Sequence, residues 1–225
     1  MSDNEILTEG YALSTLHQRV ITGLLLVLVA GGVVFIGGWL MVAALMAIAV
    51  LMDKEWQALR PDESLLWQAF GIAYIALPII SALALRDLSL MALLFPVALI
   101  IATDTGAYFA GRSIGGAKLA PRISPNKTWA GLIGGMIAAS AVSLMLYPLM
   151  PLPNTALSAI LVGCFTALLG QAGDLFESWL KRRKGLKDSG SLLPGHGGIL
   201  DRLDSYATVL PFFLLYLVIS AEVMA

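Results

Sequence analysis

Seven stretches of the chain are almost continuously apolar, at residues 20 to 36, 38 to 52, 67 to 85, 88 to 108, 129 to 150, 156 to 180 and 203 to 223. A run needs about 20 residues to cross roughly 30 Å of hydrocarbon, and several of these are long enough. In lipid every backbone N–H and C=O must be satisfied within its own segment, so the runs are predicted to be helices in spite of their many Val and Ile residues. Only Gly37 and Gly38 divide the first two, which leaves a single long tilted helix as an alternative there. The predicted fold is all-α: a polytopic transmembrane helical bundle of about seven spans, with one integral membrane domain over residues 1–225 and no repeat or linker that would detach a soluble unit. Gly131 and Gly135 form a small-xxx-small pair that favours close helix packing, within the chain rather than between copies.

Composition agrees. Hydrophobic residues make up 58% of the 225 and charged residues 13%, with a mean hydropathy of +0.84. Soluble domains carry about 45–50% apolar and about 25% charged residues, so a water-soluble domain is excluded. The net charge of -1 gives no reason to expect nucleic acid as a partner. The single cysteine, Cys164, lies inside an apolar run and reads as a small packing residue. Asp3, Glu5 and Glu9 are unlike the basic start of a cleaved signal peptide, so the first apolar run reads as a retained anchor.

The position of the charges carries more than their sum. With residues 1–19 in the cytosol, Arg86 is the one residue of the 14 lysines and arginines that falls outside. The positive-inside rule therefore predicts that the loops 109–128 and 181–202 share the cytosolic face.

Carboxylates at membrane depth are costly, which makes their positions informative. Asp174 and Glu177 are three residues apart near the end of the sixth run, with Ser178 and Lys181 on the same helix face. Asp201 and Asp204, again three apart, open the seventh. The intervening loop, with Lys181, Arg182, Lys187 and Asp188 and then His196 between Gly195 and Gly197, is short enough to fold the two acidic pairs together. Converging carboxylates repel unless a cation lies between them, and oxygen donors suit Mg²⁺ bridged to phosphates. The glycines beside His196 would permit close backbone approach to a phosphate. Asp104, near the end of the apolar run that leads into the other loop, is either a metal or nucleotide contact or the partner of Arg112. Ser124, Lys127 and Thr128 form a cationic, hydroxyl-rich helix start that suits an anion or is a plain cap.

The run Ser178-x-Leu180-Lys181-Arg182, then Lys187-Asp188-x-Gly190, then Leu193-Pro194-x-His196-Gly197-Gly198-Ile199-x-Asp201-Arg202-Leu203-Asp204 resembles the signature of the phosphatidate cytidylyltransferases, or CDP-diacylglycerol synthases. Asp104 to Tyr108 and Ser124 to Trp129 are similar to that family as well, so the resemblance covers most of the chain after about residue 100. Ala130 departs from it, standing where a Glu or Gln often follows the Lys-Thr-Trp motif.

The resemblance implies transfer of the cytidylyl group from CTP to phosphatidate, with Mg²⁺ required, in a bacterial inner (plasma) membrane. A monovalent cation beside the Mg²⁺ and a homodimer are both compatible with it. It also implies that Asp174 and Asp201 hold the metal. The candidate catalytic residues are Asp174, Asp201, Lys187, Asp188, His196 and Arg202; the candidate substrate contacts are Asp104, Ser124, Lys127, Glu177, Lys181, Arg182 and Asp204. A transporter would place charges at the bilayer midplane, whereas here they gather toward one face.

Overall fold

The computed structural model describes residues 21, 23–150, 155–190 and 197–224. The expected cytosolic segment 1–19 and His196 therefore lie outside the described residues. Each apolar run is the body of a helix: α1 (Gly23–Ile36), α2 (Gly38–Leu59), α3 (Leu65–Leu88), α4 (Leu90–Ser113), α5 (Trp129–Leu146), α6 (Ala156–Arg183) and α7 (Leu200–Met224). Five of them, α3 to α7, are long and apolar enough to cross a membrane, α5 with the 3-10 turn Tyr147–Leu149 that prolongs it. The chain is thus a helical membrane protein. Among the described residues, length and composition support five of the seven expected spans. The described part of α1, Gly23–Ile36, is shorter than the ~20 residues a span needs, and α2 carries Asp53, Lys54 and Glu55 in its last two turns.

Helices α4 and α6 run past their predicted ends, to Ser113 and Arg183. Hydropathy marks only the apolar part of a helix, and the hydrogen-bonded spiral continues into its polar end. Starts are set by hydroxyl caps: Ser64, Ser89, Thr128 and Thr155 each accept a backbone N–H three residues on. The alternative of one long helix over α1 and α2 is not what forms. Gly37 and Gly38 have φ of 68° and 55°, left-handed values that only glycine adopts cheaply. Arg86 seals the break, donating from Nε to Val34 O at 2.7 Å and from Nη2 to Phe35 O at 2.9 Å. The carbonyls at the end of α1 therefore find a partner.

One element departs from the all-α expectation. Residues 109–128, read from sequence as a loop, hold the end of α4 and then an antiparallel hairpin, β1 (Lys118–Ala120) and β2 (Ser124–Thr128), with Lys118 opposite Thr128 and Ala120 opposite Ser124. Its brevity and polar sequence hid it, since neither strand shows a run of alternating apolar residues.

Helix α4 packs on α5, α5 on α6, α6 on α7, and α7 back on α3. Small residues allow these approaches. Gly131 and Gly135 face Ala107 O and Thr103 O across the α4–α5 contact, so the pair packs within the chain as expected. At Gly163 an added Cβ would stand 2.5 Å from Ser140 Cα and 2.6 Å from Ser140 N, backbone that cannot turn aside. On α2 the ring of Trp56 is 1% exposed; it lies against Gly71 of α3 and donates from Nε1 to Trp67 O at 3.2 Å. That anchors the charged end of α2 to the bundle.

Gly163→Ala should lower stability by about 1–3 kcal/mol through overpacking. Gly31→Ala, inside α1 where an added Cβ meets nothing within 4 Å, should not lower it. Thermal unfolding of the two variants in detergent checks the contrast.

Candidate active site

On α6, residues 174, 177, 178 and 181 fall at helical spacing on one stripe; on α7 so do 201, 204, 205 and 208. The two stripes face each other and are closed by polar contacts along their length. Lys181 Nζ donates to Glu177 Oε1 at 3.2 Å and also pairs with Asp201 Oδ1. Farther in, Ser205 Oγ donates to Gly170 O at 3.4 Å and Thr208 Oγ1 to Leu169 O at 2.9 Å. Gly173 permits this proximity, since a Cβ there would stand 2.5 Å from Asp204 O. Glu177, Lys181 and Asp201 are all largely buried, with side chains 1%, 11% and 10% exposed, so they form a screened carboxylate–ammonium–carboxylate bridge.

Beside it lies a second cluster. The hairpin carries Lys127 to Asp174, with which it forms an ion pair, and Ser178 Oγ donates to the other oxygen of Asp174 at 3.3 Å. Asp104 of α4 and Asp204 of α7 lie close enough to interact electrostatically with both Asp174 and Lys127. Arg112, the alternative partner for Asp104, instead bonds Tyr108 Oη at 2.8 Å. Four elements thus bring acids and lysines to one end of the bundle.

The loop before α7 closes the site. Asp201 Oδ2 accepts from Ser189 N at 2.8 Å, Ser189 Oγ at 3.0 Å and Gly198 N at 2.9 Å. Gly197 has a φ of 79°. A Cβ on Gly197 would stand 3.0 Å from Asp201 Oδ2, and one on the next residue, Gly198, 2.0 Å from Ser189 Oγ and 2.5 Å from Glu55 Oε2; Gly195 lies outside the described residues. Glu55, on α2, is the residue the sequence did not reveal. It is 5% exposed and accepts from Ile199 N and Leu200 N, each at 2.9 Å, and from Ser189 Oγ at 2.8 Å. An acid at the polar end of an apolar helix looks like a solvated end; only its distant partners distinguish it.

The remaining candidates have other surroundings. Arg182 donates to Ile123 O at 3.2 Å and Leu186 O at 2.9 Å, tying the hairpin turn to the end of α6. Lys187, Asp188 and Arg202 are exposed, and Ser124 is half-buried on β2. Thr128 caps α5 through Gly131 N at 3.0 Å, so this hydroxyl of the expected anion site is a plain cap.

A hard divalent cation fits the chemistry of these donors. Lys127 pairs with Asp174 and Lys181 with Glu177 and Asp201, while Asp104 and Asp204 lie near Asp174 and Lys127, so carboxyl oxygens outnumber the lysines there. Among the described residues no three His, Cys, Asp or Glu side chains are grouped to hold an ion unaided. Mg²⁺ commonly takes one or two carboxylates and completes its shell with water and phosphate oxygens.

A cytidylyltransferase family model matches residues 59–220. The chain belongs to the cytidylyltransferase family. The match begins well before residue 100, where the motifs legible in the sequence start. A relative named phosphatidate cytidylyltransferase from Brucella suis biovar 1 (strain 1330) is 40% identical over 206 residues, covering 90% of this chain and 72% of the relative. One of the same name from Bacillus subtilis (strain 168) is 50% identical over 117 residues, 51% of this chain and 44% of its own. Another from Staphylococcus epidermidis (strain ATCC 12228 / FDA PCI 1200) is 42% identical over 148 residues, 66% and 57% respectively.

Removing Lys181 leaves Glu177 and Asp201 facing each other with no cation between them. Lys181→Met should cost about 3–5 kcal/mol of stability, and adding Glu177→Gln should restore part of it. Chemical denaturation of the single and double variants in detergent measures both.

Proposed function

We propose that the chain transfers the cytidylyl group from CTP to phosphatidate, forming CDP-diacylglycerol and releasing pyrophosphate, as a step of phospholipid biosynthesis. The observation that carries this is the convergence of Lys127, Asp174, Lys181 and Asp201 from the hairpin, α6 and α7 at one end of a membrane bundle. Family membership and the names of the relatives support the same reading.

In the reaction a phosphatidate oxygen attacks the α-phosphorus of CTP in line; the new P–O bond forms as the bond to the β-phosphate oxygen breaks, and pyrophosphate leaves with the electron pair. A phosphate monoester has a second pKa of about 6 and is mostly dianionic at neutral pH, so no side chain need take a proton. Lys127 and Lys181 turn from their carboxylates to phosphate oxygens, and Arg182 at the hairpin turn adds a further cation. His196 positions rather than deprotonates.

Asp174 and Asp201 are the proposed Mg²⁺ ligands. Bound Mg²⁺ offsets the charge on the nucleotide and on the leaving pyrophosphate. Asp174 is the more open of the two, with a side chain 35% exposed against 10% for Asp201. Asp201 takes part once Lys181 leaves its Oδ1. The site faces the cytosol, where CTP is found, and the distribution of lysine and arginine supports that orientation. The membrane is the bacterial inner membrane, and neither substrate has to cross it.

Purified protein in phosphatidate-containing micelles with labelled CTP and Mg²⁺ should form a labelled lipid that comigrates with CDP-diacylglycerol. A labelled product only from an isoprenoid alcohol or an ether lipid would reassign the substrate. Chelation of Mg²⁺ should abolish turnover, and Asp174→Asn and Asp201→Asn should each lower it by at least ~10²-fold while the protein remains folded. Near-normal turnover of either variant would remove that residue from the metal site.

A further inference from the structure

We propose that Glu55 is a positioning residue of the transfer reaction, holding Ser189 and the first turn of α7 so that Asp201 is presented to the site. The inference rests on the proposed cytidylyl transfer. Glu55 lies before the residues that match the family model, which begin at 59. Among the described residues no Lys or Arg forms an ion pair with it. A carboxylate 5% exposed needs some compensation for its lost hydration. That compensation comes from the positive end of α7, whose N–H groups of Ile199 and Leu200 it accepts at 2.9 Å each.

A cap alone would not call for this arrangement. Helices α3, α4, α5 and α6 are capped by a hydroxyl immediately before each helix, whereas α7 is capped by an acid 145 residues away in sequence. The distant cap fixes the start of α7 to α2, which the buried Trp56 in turn anchors to α3. Gly190 and Gly198 press against the carboxylate; a Cβ on either would stand 2.6 Å or 2.5 Å from a Glu55 oxygen.

Ser189 makes the connection to Asp201. Its hydroxyl lies 2.8 Å from Glu55 Oε2 and 3.0 Å from Asp201 Oδ2, and it has one hydrogen for two acceptors. Asp201 Oδ2 already accepts from Ser189 N and Gly198 N. When the hydrogen points to Glu55, Asp201 is spared a third donor and its carboxylate keeps more negative charge for a cation at Oδ1; when it points to Asp201, that charge is drawn down. Glu55 thereby competes for the hydrogen and leaves Asp201 the stronger acceptor.

The test compares the full chain with Glu55→Gln, Ser189→Ala, the double variant and Asp53→Asn, an exposed acid on the same helix. Turnover of CTP with phosphatidate is measured beside the melting temperature of each protein. Asp53→Asn should match the parent. Glu55→Gln and Ser189→Ala should each lose about 10–100-fold in kcat, with KM for CTP changed by less than about threefold. The double variant should lose little more than the worse single one, because both cut the same link. Multiplying losses, or a loss in kcat that follows the loss of folded protein, would overturn the inference. Should Glu55→Gln fail to fold, Ser189→Ala, which keeps both amide contacts of Glu55, decides: a loss under about threefold overturns the link. A parent that makes no CDP-diacylglycerol overturns the function and the inference with it, whereas an active parent with a fully active Glu55→Gln overturns the inference alone.

Discussion

Lys181 between Glu177 and Asp201 is the contact on which the rest of the site depends. Two carboxylates removed from water repel each other and are both poorly solvated, so side by side they need a cation or a shared proton between them. The bridge fixes the angular register of α6 against α7, and register fixes the rest. Once Asp201 faces Lys181, helical spacing brings Asp204 toward Asp174, and Ser205 and Thr208 meet the carbonyls of Gly170 and Leu169. The hydroxyl contacts deeper in the bundle and the charged contacts at its end are one seam.

Much of this seam was legible in the sequence. Hydropathy locates each helix body, because lipid leaves the backbone no other way to satisfy its polar groups. The spacing of Asp174, Glu177, Lys181, Asp201 and Asp204 places them on helix faces before any coordinates are known. What stayed hidden is of two kinds. The hairpin carrying Lys127 has too few apolar residues to announce itself, and its existence depends on α4 and α5 holding its ends. Glu55 sits among Asp53, Lys54 and Trp56 in what reads as an ordinary polar helix end. Its role is created by chain segments more than a hundred residues away, which no local pattern encodes.

The number of membrane crossings illustrates a different limit. Seven apolar runs are present, and among the described residues five helices are long and apolar enough to cross a membrane, while α1 and α2 are separated by a glycine break and α2 ends in charge. Hydropathy counts apolar residues, whereas crossing depends on how many lie on one uninterrupted axis. Arg86 shows the difference physically: by bonding the carbonyls of Val34 and Phe35 it stabilises the break itself.

The hairpin has a consequence for how the bundle is made. Synthesis proceeds from the amino end, so Lys127 is made before the acidic end of α6. Asp174 enters the membrane interface with its counter-charge waiting. Glu177, by contrast, arrives four residues ahead of Lys181, within one turn of the same helix. Asp201, made after both, meets a lysine that already has a carboxyl partner on its own helix.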